Sequence, residues 1–457
     1  MDETRITGSD PESIRILESA LRRLNNGFQD LEPNSTNIIG IRQIEEVLLE
    51  VADRMKDNFP YFHPLYAGQM MKPPHPLARL AYMLALYINP NNHALDGGRA
   101  SSHMEKEAVA RIAAMFGWET FLGHLTGGGT MANLEALWLA GQVHPGKLIV
   151  ASSQAHYTHT RLSKVLGLPF QTVPANRFGK MDMEELKRLL NMGPIGTLVA
   201  TIGTTATGAT DPLPEILRLQ EEHGFRIHAD TAYGGYFTLA GTLAAPTREV
   251  YDRLGEVDSI VVDPHKHGMQ PYGCGCILFK DPSVGVHYKH DSPYTYFSSD
   301  ELHLGEISLE CSRPGASAVA LWATQTLLPM VKEGEFAGLL DLGRETALLL
   351  YGKLKTDNRF ITAFAPELDI LIWAPKASSV TECSKRSRQL FEQAGRNNLH
   401  LALAELPCHF FDLDREDILR DRDTITCLRS VLMKPEHKEW LPRLWEILSQ
   451  SMDHILR

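Results

Sequence analysis

The sequence predicts an α/β protein built on a mostly parallel sheet, flanked by an N-terminal helical and extended segment and a smaller C-terminal α+β domain. Three observations carry this expectation. Short apolar runs at 148–151, 171–173, 198–201, 226–229, 259–262 and 276–279 alternate with helical stretches at 131–141, 183–190 and 214–223. Strands alternating with helices imply parallel neighbours with helices on both faces. The 457 residues exceed what one core usually organises, so two or three domains are expected, with segments placed at 1–116, 117–330 and 331–457. The composition also shifts after about residue 330, where a long helical pattern at 339–354 begins.

Taken in order, Asp10-Pro11-Glu12 is a helix start, and Ile14, Leu17, Leu21 and Leu24 follow at helical spacing. Pro60, Pro64, Pro73, Pro74 and Pro76 turn 59–76 into an extended arm of the kind that wraps a partner subunit. Helix returns at 77–88, Gly97-Gly98 reads as a loop, and 102–116 is an amphipathic helix. In the C-terminal part, 370–373 and 430–433 read as strands, and 380–393 and 440–456 as helices. A net charge of −11 argues against nucleic acid or an anionic membrane as the main partner. Six cysteines without a CxxC pair argue against a disulfide framework or structural zinc, and no metal is expected. The polar N-terminus lacks a signal-peptide core, and no run of about 18 apolar residues occurs, so a cytoplasmic protein is expected.

Polar clusters follow the strands, which is where ligands of such sheets bind. Thr126-Gly127-Gly128-Gly129-Thr130 precedes a helix and suits a phosphate cup, although alone it is equally a glycine-rich turn. It lacks the Gly-Lys-Ser/Thr ending of a P-loop. His156 can lie flat on an aromatic ring or serve a structural hydrogen bond. Asp230 closes a buried strand, where a carboxylate is costly unless paired with a cation. A protonated pyridine nitrogen is such a cation, and Ala232 leaves room for its ring. Lys266, in Asp263-Pro264-His265-Lys266-His267, stands between two strand-like runs. A lysine there can lose its proton and form an imine with an aldehyde, or remain a surface lysine.

The order Gly-Gly-Thr, His, Gly-Thr-Thr, Asp-x-Ala-x-Gly-Gly and Asp-x-His-Lys resembles the group II pyridoxal-phosphate-dependent amino-acid decarboxylases, over nearly the whole chain from about Pro60. The stretch from Asp263 to Met269 is most similar to their tyrosine/aspartate/glutamate decarboxylase branch. The resemblance implies the aspartate-aminotransferase-like fold type I, with a seven-stranded mostly parallel sheet. It also implies a homodimer with active sites at the subunit interface. By the same resemblance Lys266 holds pyridoxal phosphate, Asp230 pairs with its ring nitrogen and His156 stacks on its face. Gly128, Gly129, Thr130 and His265 hold its phosphate, and Thr204 and Ala232 pack beside the ring. Arg429 grips the substrate carboxylate. A loop tyrosine returns the proton, with Tyr288, Tyr294 and Tyr296 as candidates and the last two preferred. Ser312 belongs to a segment that closes over the phosphate, although Pro314 departs from the family form, as His267 does where animal relatives carry tryptophan. Arg99 is the candidate cation for an acidic side chain; Tyr61, Phe62 and Tyr66 would instead wall an aromatic one. The implied activity is α-decarboxylation of an L-amino acid. The alternative is a carbon–carbon lyase of the sphingosine-phosphate-lyase type, which would want further basic residues for a substrate phosphate.

Overall fold

A computed structural model of the chain describes residues 10–32, 40–289 and 301–457. The N-terminal helices are α1 (Pro11–Asn26), α2 (Ile41–Met55), α3 (Pro76–Leu86) and α4 (Leu95–Met115). Asp10 caps α1 by accepting the Ser13 N–H, with Pro11 in the first turn, where its missing N–H costs nothing. Between α2 and α3 the proline-broken arm carries no helix. Gly97-Gly98 forms a short non-helical break between two helical segments rather than a longer loop. The kink in α4 falls at Gly98 (φ −164°, ψ 58°). A side chain there would meet Asn92 Oδ1 at 2.8 Å, so the glycine serves close packing against the preceding turn.

The large sheet is formed by β1 (Leu122–Thr126), β2 (Leu148–Ser152), β3 (Phe170–Val173), β4 (Ile195–Thr201), β5 (Arg226–Asp230), β6 (Ser259–Val262) and β7 (Gly275–Phe279). Their order is β1-β7-β6-β5-β4-β2-β3. Strands β3, β2, β4, β5 and β6 pair in parallel, and β7 runs antiparallel to both β6 and β1. All seven residues of β4 are buried, as a central parallel strand covered on both faces requires. Strand β1 is the one member without a sequence signal. Leu-Gly-His-Leu-Thr is neither a continuous apolar run nor an alternating one, and pairing with β7 supplies what its own propensity lacks.

Helices α5 (Gly129–Val143), α6 (Thr158–Leu166), α7 (Met183–Met192), α8 (Leu213–His223) and α9 (Ala245–Asp252) connect these strands. Gly167 and Gly224 end α6 and α8 in the left-handed conformation that glycine adopts without steric cost. Beyond the sheet come α10 (Gly315–Leu327) and α11 (Glu335–Thr356). A second, antiparallel sheet has the order β10-β11-β9-β8, from β8 (Phe360–Thr362), β9 (Ile370–Pro375), β10 (Ala402–Pro407) and β11 (Thr424–Val431). It is covered by α12 (Val380–Arg396) and α13 (His437–Leu456). Strand β11 begins earlier than the apolar run at 430–433 suggests. Its polar start, Thr424 and Thr426, is carried by pairing with β10. Trp373 on β9 is fully buried, with its indole N–H on Ser430 Oγ at 3.0 Å.

Candidate active site

Parallel strands place their carboxyl ends along one edge, and here that edge opens a cavity of about 310 Å³. It is lined by residues from the ends of β1, β2, β4, β5 and β6, and both Asp230 and Lys266 face it. Asp230 ends β5, paired with Val261 of the adjacent β6, and Lys266 lies in the turn after β6. Two residues distant in sequence therefore meet because their strands are neighbours.

Asp230 is 5% exposed and well supported. Its Oδ2 accepts from His159 Nε2 at 2.8 Å and from Asn133 Nδ2 at 3.4 Å, and its Oδ1 accepts the Ala232 N–H at 3.1 Å. Burial pushes this carboxyl upward, but the hydrogen bond from His159, aided by the Lys266 ammonium, outweighs it. The result lies well below the usual carboxylate range. Behind it, His228 is fully buried and driven down to about 3, mainly by desolvation. As a neutral ring it bridges Asn133 Oδ1 and Ser259 Oγ, each at 2.9 Å.

Lys266 is half-buried, with Nζ 3.1 Å from Asp263 Oδ2. The other carboxylate oxygen of Asp263 is buried without a hydrogen-bond partner among the described residues. His265 donates from Nδ1 to the Cys274 carbonyl at 2.8 Å, and burial lowers its basicity. His267 points away from the cavity. It packs between Tyr233 and Phe237, with Nε2 3.3 Å from Asp369 Oδ2.

The glycine run opens α5 at the cavity wall. Gly128 has φ +139°, a conformation costly to any other residue. A Cβ on Gly129 would sit 2.7 Å from Asp263 Oδ2. The cup therefore needs glycines, and with Thr130 it presents the N-terminal amides of a fifteen-residue helix to the cavity. His156 also lines the cavity, its Nδ1 2.8 Å from Thr158 Oγ1. Burial lowers the basicity of its imidazole.

Gly128, Gly129, Thr130, His156, Asp230, Ala232, His265 and Lys266 all line this one cavity. Thr204 is buried just outside it, bonded to Thr207 Oγ1 at 2.7 Å, while its neighbour Thr205 lines the wall. Arg429, in the middle of β11, stands one layer behind. It donates to the Thr205 carbonyl at 3.0 Å, the Gly68 carbonyl at 3.3 Å and Gln69 Oε1 at 2.5 Å, while its buried Nε has no hydrogen-bond partner among the described residues. Ser312 is exposed, 3.4 Å from Asn91 Nδ2, and does not line the cavity. Arg313 turns inward instead, 3.1 Å from Glu105 Oε1. Arg99 is exposed on α4 and is not brought to the cavity. Tyr288 is buried, and its hydroxyl donates to Glu135 Oε2 at 3.0 Å. Tyr294 and Tyr296 lie outside the described residues. Tyr66 is buried, while Phe62 is 69% exposed.

Three contributors escaped sequence reading. His159, one helical turn beyond His156, gave a signal only in its spacing. Asn133 looked like any residue of a first helical turn. Gln69 lies in the proline-broken arm, where no periodicity marks an inward side chain.

The cavity fits pyridoxal phosphate on its own chemistry. A buried carboxylate with spare accepting capacity awaits a cationic nitrogen, an amine stands beside it, and a helix N-terminus can take a phosphate. Comparison with known proteins agrees. The pyridoxal-dependent decarboxylase conserved domain matches residues 139–369. The L-aspartate decarboxylase of Thermococcus kodakarensis is 30% identical over 306 residues, covering 66% of this chain and 76% of that protein. The L-tyrosine decarboxylase of Enterococcus faecium is 28% identical over 386 residues, covering 62% and 63%. Among solved structures, Oryza sativa TDC with PLP and tryptamine matches with a TM-score of 0.79 at 15% identity, covering 99% of this chain and 100% of that one. Mouse CSAD in apo form matches at 0.76 and 20% identity, covering 96% and 99%. These last two speak for the fold. With sequence, fold and cavity in accord, the chain belongs to the pyridoxal-dependent decarboxylase family and is an amino-acid carboxy-lyase with pyridoxal phosphate as its cofactor.

Proposed function

We propose that this enzyme removes the α-carboxylate of an L-amino acid as carbon dioxide, with Lys266, Asp230, His156 and Arg429 as its principal working residues. The observation that carries the assignment is the presence of Asp230 and Lys266 in the lining of one cavity. Bound pyridoxal phosphate supplies an electron sink for the broken Cα–carboxylate bond. Lys266 anchors the cofactor and yields to the substrate amine. Asp230 keeps a proton on the ring nitrogen, Gly128, Gly129, Thr130 and His265 hold the phosphate, and His156 and Ala232 bound the ring, with Thr204 packed beside it. Ser312 has no contact here that supports a phosphate role within a single chain.

Arg429 holds the substrate corner. Its guanidinium lies directly behind the lining residue Thr205, with a buried Nε that has no hydrogen-bond partner among the described residues, and such a group suits a carboxylate. Gln69 belongs to the same corner through its bond to Arg429. The proton that replaces the carboxylate is assigned to Tyr294 or Tyr296, since Tyr288 is already engaged with Glu135.

Carbon dioxide release from a panel of single L-amino acids tests this reading. Aspartate and tyrosine lead the panel because relatives carry those names. Release from one of them, with Arg429→Gln raising its KM by roughly 10- to 100-fold, is the expected result for a lost charged hydrogen bond. No release from any amino acid, together with an aldehyde formed from a phosphorylated amino alcohol, would assign the carbon–carbon lyase instead.

The enzyme is further proposed to be a cytoplasmic homodimer. Six free cysteines, five of them buried, are in keeping with a reducing compartment. No residue of α2 is buried, and Ile44, Val47, Leu48, Val51 and Met55 form one apolar stripe, 46–62% exposed. A stripe of that kind calls for a covering surface, and a second copy supplies one. Sedimentation equilibrium should show a dimer that Val47→Asp with Leu48→Asp weakens at least about tenfold; a monomeric wild type would end the idea.

A further inference from the structure

We propose that His159 is a positioning residue: through a buried hydrogen bond it holds the Asp230 carboxylate so that one oxygen is left for the cofactor's ring nitrogen. This rests on the assignment of Asp230 to that nitrogen. A carboxylate offers about four acceptor directions. On Asp230, Oδ2 uses its two for His159 at 2.8 Å and Asn133 at 3.4 Å, and Oδ1 uses one for the Ala232 N–H. The remaining direction belongs to Oδ1. His159 thus decides which oxygen serves the cavity.

The imidazole is expensive where it stands. His159 is fully buried in α6, and its Nδ1 has no hydrogen-bond partner, so Asp230 is its one hydrogen-bonding partner among the described residues. Burying a polar ring with half its capacity unused costs stability that an apolar side chain would avoid. Of the four residues that α6 buries, Thr158, His159, Leu162 and Ser163, the histidine is the bulky polar one. What the histidine does is supply the shortest contact to Asp230. The second arm, Ser259–His228–Asn133, reaches the same oxygen only at 3.4 Å. Among the groups that oppose the effect of burial on Asp230, His159 contributes most.

The proposal is tested on the holoenzyme reconstituted with ¹⁵N-ring-labelled pyridoxal phosphate, in wild type, His159→Phe and His159→Gln. The ¹⁵N chemical shift reports protonation of the ring nitrogen directly. Wild type should show a protonated nitrogen. His159→Phe should lose much of that signal, release cofactor on dialysis roughly 10- to 100-fold faster and lower kcat by a similar factor with little change in KM, the range of one charged hydrogen bond. His159→Gln, which keeps an N–H donor, should recover most of the protonation and retention. If Phe is not accommodated, judged by circular dichroism, His159→Leu is read in its place. A nitrogen still protonated, with unchanged cofactor retention, in a folded Phe or Leu variant would overturn the role of His159 and leave Asp230 in place. A neutral nitrogen in wild type would overturn the Asp230 assignment itself, and this inference with it.

Discussion

Lys266→Ala should abolish the visible absorbance of covalently held cofactor and lower carbon dioxide release by at least about 10³-fold, since the loss removes both anchor and nucleophile. The reason is positional. Lys266 carries the only primary amine among the described residues that line the cavity. The chemical rival is Lys72, which burial pushes down to about 8 and so makes more available as a free amine. It stands outside the cavity lining, however, with Nζ 3.5 Å from the Met433 carbonyl. Borohydride reduction followed by peptide mapping checks this. Label on Lys266 in wild type and none in the variant is expected. Absorbance retained in the variant, with label on Lys72 or another lysine, would refute the assignment.

Asp230→Asn should lower kcat by roughly 10²- to 10⁴-fold, in line with the roughly 3–5 kcal/mol cost of breaking a buried charge pair, while KM moves little. The amide keeps the size but cannot balance a ring cation, and its NH2 group would face the donors of His159 and Asn133. The pH dependence has a definite sign. The carboxyl is held below its unfolded value, so its contribution to stability is present above the unfolded carboxylate range and is lost as pH falls through the folded value. An acid limb of activity in the mildly acidic range therefore should not come from Asp230. The check is kcat against pH for wild type and variant. If the substitution removed an acid limb near the ordinary carboxylate range, Asp230 would titrate there, and His159 would not be holding it ionised.

Much of the scaffold was legible before any coordinates. Strands β2 to β6 are apolar runs followed by polar or turn segments, a pattern that a parallel sheet with ligands at its carboxyl edge imposes on the chain, and β7 is a further apolar run. Strand β1 was not legible. A glycine and a histidine sit inside it, and His124 is tolerated only because Glu135 of α5 meets its Nε2 at 2.9 Å. Gly97-Gly98 was legible in part. Glycine signals backbone freedom, which here makes only a short break and permits close approach inside α4. For the cavity, motif order identified the residues that follow each strand, because strand ends converge whatever the packing details. It could not reveal His159, Asn133 or Gln69, whose contacts run between elements.

The amino-acid order by itself determined the α/β class, the strand-end clusters, and the placing of one carboxylate and one amine after strands that share a cavity. Those follow from periodicity and from the cost of burying charge, both local properties of the chain. Only the tertiary structure decided that Arg429 stands behind Thr205, that Tyr288 is engaged by Glu135, that Arg99 stays outside, and that a second histidine supports Asp230. Each of these depends on which elements become neighbours in space, and side-chain hydrogen bonds act over about 3 Å, a distance that sequence separation does not encode.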